Sequence, residues 1–199
     1  MIKVIFWDFD GVILDSNKIR DYGFLKCLEE YPEEQVNQLM EYHRLNGGFS
    51  RYVKFRYFFE EIRKEQISVD EVDDWAQKFS KIVLKELVNP ELLIQENLNY
   101  IMENHQSIKM HVVSGSDQNE LRYVCSQLGI DHYFQSIHGS PNPKRQLVTE
   151  LLTKYSYKYT ECILIGDSIN DYLAAKENNI HFMSYNNPDL EALTDIKLF

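Results

Sequence analysis

Two aspartates stand two positions apart where the first apolar run of the chain ends, in the stretch FWDFDGVILDS at residues 6–16. At about 4 Å, two carboxylates repel each other by roughly 4 kcal/mol at an effective dielectric near 20, so Asp8 and Asp10 need a cation or a proton beside them. A divalent metal ion is the natural candidate, and Gly11 allows a sharp turn and the close approach of a phosphate. The alternative is a solvated pair in a strand-to-loop turn, where Asp and Gly are common.

A second acidic stretch, LIGDSIND at residues 164–171, repeats this arrangement, because Asp167 and Asp171 also follow an apolar run. Mg²⁺ prefers oxygen ligands and binds one or two carboxylates directly while it keeps several waters. Asp8, Asp167 and Asp171 would suit such an ion if the two strand ends meet. Asp171 also has a structural interpretation, since Ser168 and Asp171 have the spacing of a capping pair at a helix start.

The sequence VVSGS places Ser114, Gly115 and Ser116 between an apolar run and a predicted helix. A hydroxyl and free amides at a helix N-terminus form an anion site. The alternative is that the two serines only cap that helix.

Lys144 is predicted to be the second residue of a helix whose first position is Pro143. A cation in the first helical turn opposes the helix dipole unless an anion lies nearby. Lys144 therefore indicates a nearby carboxylate or phosphate. Arg145 shares this position, so a pair of solvated surface cations is the competing interpretation.

Short apolar runs predict strands at five places: Ile2 to Trp7, Ile108 to Val113, around Phe134 to Ile137, Cys162 to Ile165 and Ile180 to Met183. Helical patterns alternate with the later runs, which predicts an α/β fold with a doubly wound parallel sheet. Residues 17–88 show no strand but several helical patterns, one of them introduced by a Ser68–Glu71 capping box. We therefore predict an α/β core from residues 1–16 and 89–199 and an inserted all-helical cap from residues 17–88. The cap would cover the carboxyl ends of the strands, where such sheets bind ligands.

Composition limits the possible partners. The chain has 199 residues, 44% of them hydrophobic, and a formal net charge of −10, which disfavours binding to nucleic acid. It has no apolar stretch of membrane-spanning length and no secretory signal pattern, so we expect a cytoplasmic protein without a membrane partner. Three widely spaced cysteines predict reduced thiols. The oligomeric state stays open, and a monomer is compatible with the sequence.

Four motifs resemble, in order and spacing, those of the haloacid dehalogenase (HAD) superfamily: DFDGV at 8–12, Ser114 after an apolar strand, Lys144 at a helix start, and GDSIND at 166–171. A helical insertion directly after the first motif is similar to the small-cap subgroup that includes phosphoglycolate phosphatases and β-phosphoglucomutases. The resemblance extends over essentially the whole chain, although in the cap it is architectural only. It implies a Rossmann-like core, a helical cap and a phosphoric monoester hydrolase that uses Mg²⁺.

The resemblance also implies roles for individual residues. Asp8 would be the nucleophile that forms an aspartyl-phosphate, and Asp10 would be the general acid and base. The implied metal ligands are Asp8, the main-chain carbonyl of Asp10, Asp167 and, directly or through water, Asp171. The implied phosphate-binding groups are Ser114, Gly115 and Lys144, together with amide groups near Phe9 and Gly11.

Substrate choice in this subgroup is implied to come from the cap, where the stretch HRLNGGFSRYVKF at residues 43–55 contains several cations. Helical spacing puts Arg51 on the apolar face of its helix, so it is predicted to point inward. With Arg44 or Lys54 it could bind a second anionic or hydroxyl-rich part of the substrate. Alternatively, the stem of Arg51 packs on the cap and its head stays in water. His43 is given no role.

These observations predict a phosphatase that hydrolyses a small phosphorylated metabolite through an aspartyl-phosphate. A phosphomutase using the same residues is the first alternative, because the sequence does not separate the two reactions. A binding or regulatory protein that has kept the fold without the activity is the second.

Overall fold

A computed structural model describes all residues of the chain, 1–199. Its five strands are β1 (Val4–Trp7), β2 (Lys109–Asp117), β3 (Ser136–Ser140), β4 (Cys162–Gly166) and β5 (His181–Ser184). They form one sheet in the order β3-β2-β1-β4-β5, and every neighbouring pair is parallel. The predicted doubly wound parallel sheet is confirmed. Since β1 lies in the middle, the acidic stretch that follows it emerges at the centre of the sheet edge.

Five helices lie between β1 and β2: α1 (Asn17–Cys27), α2 (Glu33–Leu45), α3 (Arg51–Tyr57), α4 (Val69–Leu87) and α5 (Gln95–Asn104). A single π-helical turn, Phe58–Ile62, continues α3. The later helices are α6 (Gln118–Gln127), α7 (Lys144–Lys154) and α8 (Ile169–Glu177). The fold is thus an α/β core with an inserted helical cap, as predicted. None of the helices combines the length and apolar character that a membrane crossing requires.

The central strand is covered on both faces. Ile5 and Trp7 belong to one buried apolar cluster, while Val4 and Phe6 belong to a second cluster on the opposite face. Side chains alternate between the two faces of a strand, so an uninterrupted apolar run is the expected sequence of a strand with helices on both sides. This packing holds the residues after β1 in a fixed position.

The helices of the insertion have an aromatic core of their own. Phe55, Phe58 and Phe79 are fully or almost fully buried, and Trp75 packs against them at the edge. The Ser68 capping box predicted at the start of α4 is present. Aromatic side chains bury large apolar areas, which gives helices α1 to α4 enough contact to stay together.

The chain leaves and re-enters the core through two segments that run side by side. The amide of Asp15 donates to the carbonyl of Leu92 at 2.8 Å, and the amide of Ile94 donates to the carbonyl of Ile13 at 3.0 Å. Between these bonds Leu14 and Leu93 form an antiparallel bridge. The pairing fixes both ends of the helical insertion close to the end of β1.

Candidate active site

The carboxylates of Asp8, Asp167 and Asp171 lie together at the sheet edge, each offering an oxygen within 4.8 Å of the others. They meet because β1 and β4 are parallel neighbours in which Trp7 is opposite Ile165, so the residues after both strands emerge at the same edge. Asp8 and Asp171 are buried. The structure thus brings together three of the predicted metal ligands.

Lys144 completes this group. Its Nζ lies 2.8 Å from Oδ1 of Asp8 and also donates to Asp171, and the residue is buried. Helix α7 begins at Lys144 with Pro143 as its N-cap, which corrects the predicted start by one residue. The surface-cation interpretation is wrong for Lys144 and holds only for Arg145, which is exposed and lies near Glu177. Nearby carboxylates explain why a cation is stable in this first helical turn.

The electrostatics of the group favour an additional cation. Burial and the charge of Asp171 raise the pKa of Asp8 well above its usual value, although Lys144 opposes this. Burial and Asp171 likewise raise the pKa of Asp167 to about 6. Burial lowers the pKa of Lys144, but Asp171 and Asp8 outweigh it and the pKa is raised. Three carboxylates thus share one ammonium group, and this oxygen-rich, negatively charged set fits a divalent ion such as Mg²⁺.

Asp171 also caps a helix. Its Oδ2 accepts hydrogen bonds from the amide of Ser168 at 3.0 Å and from the Ser168 hydroxyl at 2.6 Å, and Ser168 in turn accepts from the Asp171 amide. The predicted capping pair is therefore present. Its other oxygen, Oδ1, contacts Lys144, so the same carboxylate belongs to the helix cap and to the acidic group.

Gly11 makes room for the acidic group. Its φ is +77°, and a Cβ at this position would lie 2.1 Å from Oδ2 of Asp167. A side chain here would be strained and would displace Asp167. The Gly11 amide donates to the carbonyl of Leu14 at 2.8 Å, so it closes the turn instead of facing a phosphate. This bond corrects the expected use of that amide.

Asp10 has different partners from Asp8. Its Oδ1 accepts from the Ser16 hydroxyl at 2.5 Å and from Nε of Arg20 at 2.8 Å, and its Oδ2 accepts from the Ser116 hydroxyl at 2.5 Å. Burial raises the pKa of Asp10, but Arg20 and the two hydroxyl donors outweigh burial and leave the pKa below its usual value. The carboxyl group is ionised in this arrangement. Its side chain is not one of the three clustered carboxylates, and the role of its main-chain carbonyl stays a prediction.

Glu120 joins the inserted helices to the core. Its carboxylate accepts two hydrogen bonds from Arg51, at 2.5 and 2.8 Å, and one from Nη1 of Arg20 at 2.5 Å. Arg51 also donates to Ser80 at 2.6 Å. The prediction that Arg51 points inward is correct, but its head neither stays in water nor remains free for a substrate. Since Arg20 also binds Asp10, a continuous chain of ion pairs runs from α3 to the end of β1.

Ser114 and Ser116 lie within β2 and do not cap α6. The strand continues through Asp117, and the side chain of Asp117 is the cap, because it accepts from the amides of Asn119 and Glu120. The capping alternative for Ser114 and Ser116 is therefore wrong. Ser114 is buried, and its hydroxyl accepts from the amide of Ser116 at 3.1 Å.

Gly115 lies under the turn that joins α2 to α3. A Cβ on Gly115 would lie 2.2 Å from the carbonyl oxygen of Gly48. The side-chain Nδ2 of Asn170 donates to the Gly47 carbonyl at 2.5 Å on the other side of the same turn. The absence of a side chain at 115 thus lets the insertion approach the core in this closed arrangement.

A cavity of about 610 Å³ lies between the acidic group and the inserted helices. Asp8, Asp10 and Asp167 line it on the core side, and the predicted cap residues line it on the other: Arg44, Arg51 and Lys54. Ser114 and Gly115 also line it, while a separate groove of about 880 Å³ between α3, α4 and α6 contains none of the clustered carboxylates. The cavity is large enough for a small metabolite.

Several residues of the site were not predicted: Ser16, Arg20, Asp21, His43 and Glu120. Arg20 lies early in α1, where a cation opposes the helix dipole, so the signal that pointed to Lys144 could have found it. Nothing in the local sequence of Glu120 indicates an ion pair.

Fold and site together define a doubly wound α/β protein in which the segments after β1 and β4 present Asp8 and Asp167 to a covered cavity, and Lys144 at the start of α7 is buried beside Asp8. Comparison with known proteins agrees with this class. The sequence model of the family described as "Haloacid dehalogenase-like hydrolase" matches residues 4–185. The chain belongs to this family, and the predicted hydrolase of the HAD class is confirmed.

Individual relatives agree with the family. The protein named "Putative phosphatase YhcW" from Bacillus subtilis (strain 168) is 26% identical over 185 residues, which are 88% of this chain and 80% of that protein. β-Phosphoglucomutase from Clostridium difficile has a TM-score of 0.77 and 18% identity, covering 99% of this chain and 92% of its own. CbbY from Rhodobacter sphaeroides, in complex with xylulose-(1,5)bisphosphate, has a TM-score of 0.76 and 16% identity, covering 98% and 92%. These structural similarities support the fold.

The charge imbalance of the acidic group predicts that Mg²⁺ stabilises the protein. An ion that binds only the folded state at a hundred times its Kd adds about 2.7 kcal/mol to the free energy of unfolding, which corresponds to a rise in Tm of roughly 5 to 10 °C for a chain of this size. Thermal unfolding with EDTA and with millimolar Mg²⁺ measures the shift. Asp167→Asn should lose most of it, and an unchanged wild-type Tm would contradict a preformed metal site.

Proposed function

We propose that the protein is a Mg²⁺-dependent phosphatase that hydrolyses a small phosphorylated metabolite through an aspartyl-phosphate on Asp8. One observation carries this proposal: the buried carboxylate of Asp8 lies next to the buried Lys144 and clusters with Asp167 and Asp171, and both Asp8 and Asp167 line a covered cavity. A dianionic phosphate ester cannot approach a carboxylate unless cations neutralise both. The site offers one cation in Lys144 and the ligands for another.

In the first step, an oxygen of Asp8 attacks phosphorus as the bond from phosphorus to the leaving oxygen breaks. Lys144 and the hydroxyl of Ser114 bind oxygens of the transferred group and stabilise the charge that spreads over them. A Mg²⁺ ion held by Asp8, Asp167 and Asp171, with the Asp10 carbonyl, would supply charge neutralisation for the phosphoryl group. These roles agree with the positions of the four motifs.

Asp10 carries the proton. It protonates the leaving oxygen in the first step and accepts a proton from the attacking water in the second, which releases phosphate and restores Asp8. Arg20, Ser16 and Ser116 hold Asp10 in its ionised form in the present arrangement. This form suits the second step, and proton donation requires Asp10 to exchange Arg20 for the substrate.

We also propose that residues 17–88 act as a cap over the core formed by residues 1–16 and 89–199. The paired segments at 13–15 and 92–94 support this division, because they hold both ends of the insertion beside β1. The cap would exclude bulk water from the aspartyl-phosphate. The cytoplasmic location stays a prediction from the sequence.

Turnover of p-nitrophenyl phosphate tests the proposal. We expect Mg²⁺-dependent release of p-nitrophenol, abolished by EDTA and restored by added Mg²⁺, because the ester oxygens need a cation beside the clustered carboxylates. Quenching with acid during turnover should trap phosphate covalently on the protein. Turnover that is unaffected by metal removal would contradict the proposal, and so would the absence of any turnover across a panel of phosphate esters.

The fate of the phosphoryl group distinguishes a phosphatase from the alternative, a phosphomutase. A phosphatase incubated with glucose 1-phosphate releases inorganic phosphate, whereas a mutase produces glucose 6-phosphate with little free phosphate. Parallel detection of both products distinguishes the two reactions.

A further inference from the structure

Lys54 differs from the other cations that line the cavity. Arg20 and Arg51 are paired with carboxylates, and Arg44 lies 3.7 Å from Asp21. Lys54 is buried and has no carboxylate partner; its Nζ contacts Nδ1 of the His43 ring at 2.7 Å. An ammonium group without a counter-charge in a buried position is costly. A ligand could therefore supply the negative charge that is missing beside Lys54.

His43 orients this lysine. Burial and the nearby Lys54 lower the pKa of His43 to about 3, so the ring is neutral. Its Nε2 lies 2.9 Å from Oδ1 of Asp21, which holds the tautomer with the proton on Nε2 and leaves Nδ1 to accept from Lys54. Asp21, His43 and Lys54 thus form one hydrogen-bonded series across α1, α2 and α3.

The two sides of the cavity carry opposite charge. Asp8 and Asp167 line the floor, and with the buried Asp171 and Lys144 beside them they make three carboxylates against one ammonium group, so this side is negative. On the opposite side, Arg20, Arg44, Arg51 and Lys54 of the inserted helices line the cavity. Their carboxylate partners are Asp21 of the insertion and Asp10 and Glu120 of the core, so with His43 neutral four cations meet three carboxylates and one positive charge is left. In addition, Nη2 of Arg20 is buried without a hydrogen-bond partner. Uncompensated positive charge and an unused donor therefore occur on the same side.

We propose that Lys54, oriented by His43, binds a second anionic group on the leaving part of the substrate, and that Arg20 assists through its free Nη2. The substrate would then be a compact phosphate monoester that also carries a carboxylate or a second phosphate. This inference rests on the proposed phosphatase activity and narrows its substrate class. It assigns specificity to Lys54 and leaves Arg51 as the residue that holds the cap to Glu120.

Burial lowers the pKa of Lys54 to about 7. Lys54 is then charged below that pH and progressively neutral above it, so its attraction for an anion weakens as the pH rises. Several charged or titratable groups face it from the surrounding elements: Arg20 and Asp21 of α1, His43 of α2, Arg51 of its own helix and Asp10 beyond β1. Preference for an anionic substrate should therefore be pH-dependent.

Matched substrates test the proposal. 3-Phosphoglycerate and glycerol 3-phosphate differ by a carboxylate against a neutral carbinol, and fructose 1,6-bisphosphate and fructose 6-phosphate differ by a second phosphate. We expect wild-type kcat/KM to favour the anionic member of at least one pair. Lys54→Met should reduce kcat/KM for that member by about 10- to 100-fold, since a charge-assisted hydrogen bond is lost, and should reduce kcat/KM for the neutral member and for p-nitrophenyl phosphate by a smaller factor. Lys85→Met, at an exposed lysine of α4, is the matched control and should change neither.

The pH dependence of the substrate preference distinguishes a binding role of Lys54 from a structural one. In the wild type, the ratio of kcat/KM for the anionic member to that for the neutral member should fall as the pH rises through about 7. The ratio removes effects of the catalytic carboxylates that both substrates share. Lys54→Arg should keep the preference and lose its pH dependence, because a guanidinium stays charged.

Equal preference in wild type and Lys54→Met, in both substrate pairs, would overturn the assignment of Lys54. An equal loss for neutral and anionic substrates would also overturn it, because it would indicate a general disturbance of the site. Failure of the proposed function itself looks different: the wild type would then turn over no phosphate ester, including p-nitrophenyl phosphate.

Discussion

Asp8→Asn is expected to reduce kcat/KM for p-nitrophenyl phosphate by about 10⁴-fold or more and, at the same time, to raise the Tm of the metal-free protein. Activity falls because the amide cannot attack phosphorus to form the covalent intermediate. Stability rises because burial and the neighbouring Asp171 make the ionised Asp8 unfavourable, as its raised pKa indicates. The side chain that we propose as the nucleophile should therefore destabilise the fold when no metal ion is bound.

The raised pKa of Asp8 also predicts how the stability of the metal-free protein changes with pH. A carboxyl group whose pKa is raised on folding contributes stability below its unfolded pKa, and this contribution is lost as the pH rises through the folded value. The metal-free wild type should therefore lose stability as the pH rises through the raised pKa values of Asp8 and Asp167, the latter about 6. Asp8→Asn should reduce this loss, and millimolar Mg²⁺ should suppress it in the wild type.

Thermal unfolding in EDTA from pH 5 to pH 8, together with steady-state kinetics, measures both effects. Asp167→Asn is the matched control, because it also relieves repulsion but keeps the carboxylate of Asp8. We expect it to raise the metal-free Tm and to retain more activity at high Mg²⁺ than Asp8→Asn. Near-normal turnover by Asp8→Asn would refute its role as nucleophile, and a lower metal-free Tm would refute the electrostatic explanation.

Glu120→Gln is expected to lower the free energy of unfolding by about 3 to 5 kcal/mol, the usual cost of leaving a buried charge unpaired. Glu120 is the shared partner of Arg20 and Arg51, and all three side chains are buried. With Gln at this position, Arg51 loses its only carboxylate and Arg20 keeps only Asp10. The insertion should then be held less firmly to the core.

The pKa of Glu120 determines how the stability difference between wild type and Glu120→Gln changes with pH. Burial raises this pKa, but Arg20 and Arg51 outweigh burial and depress it well below its usual value. A depressed pKa stabilises the fold above the unfolded pKa, near 4.5, and this stability is lost as the pH falls toward the folded value. The difference between wild type and Glu120→Gln should thus be full at pH 7 and shrink in acid.

Urea unfolding at pH 7 and at lower pH measures the difference. Glu86→Gln, at an exposed position of α4, is the control for removing one negative charge and should stay within about 0.5 kcal/mol of the wild type. If Glu120→Gln were as stable as this control, the ion-pair network of Arg20, Arg51 and Glu120 would contribute nothing to the free energy of unfolding. Limited proteolysis should also cut the variant faster at the turn containing Gly47 and Gly48.

The arrangement of charges explains how one cavity can order a substrate with two anionic ends. In the proposed mechanism, the negative floor would hold a metal ion, and Lys144 would bind oxygens of the phosphoryl group that Asp8 accepts. Uncompensated positive charge on the cap side would take the second anion. A substrate bound in the opposite direction would place its non-transferable group against Asp8, so the separation of charge favours the productive orientation.

The sequence alone determined the sheet and its catalytic edge. Apolar runs followed by DFDG and GDSIND specify buried parallel strands with acidic ends, and parallel neighbours must present those ends at one edge. Lys144 was also predictable, because a cation in a first helical turn needs an anion close by. These features depend on patterns within a few residues, which is why they could be predicted without coordinates.

The tertiary structure alone decided which charges meet across the cap and the core. Glu120 lies 69 positions from Arg51 and 100 positions from Arg20, and neither separation has a local pattern that predicts the pair. Arg51 was expected to bind substrate or solvent, but packing places it against Glu120 and leaves Lys54 without a counter-charge. The energy of such pairs depends on distance and burial, and both are set only when the inserted helices dock on the sheet.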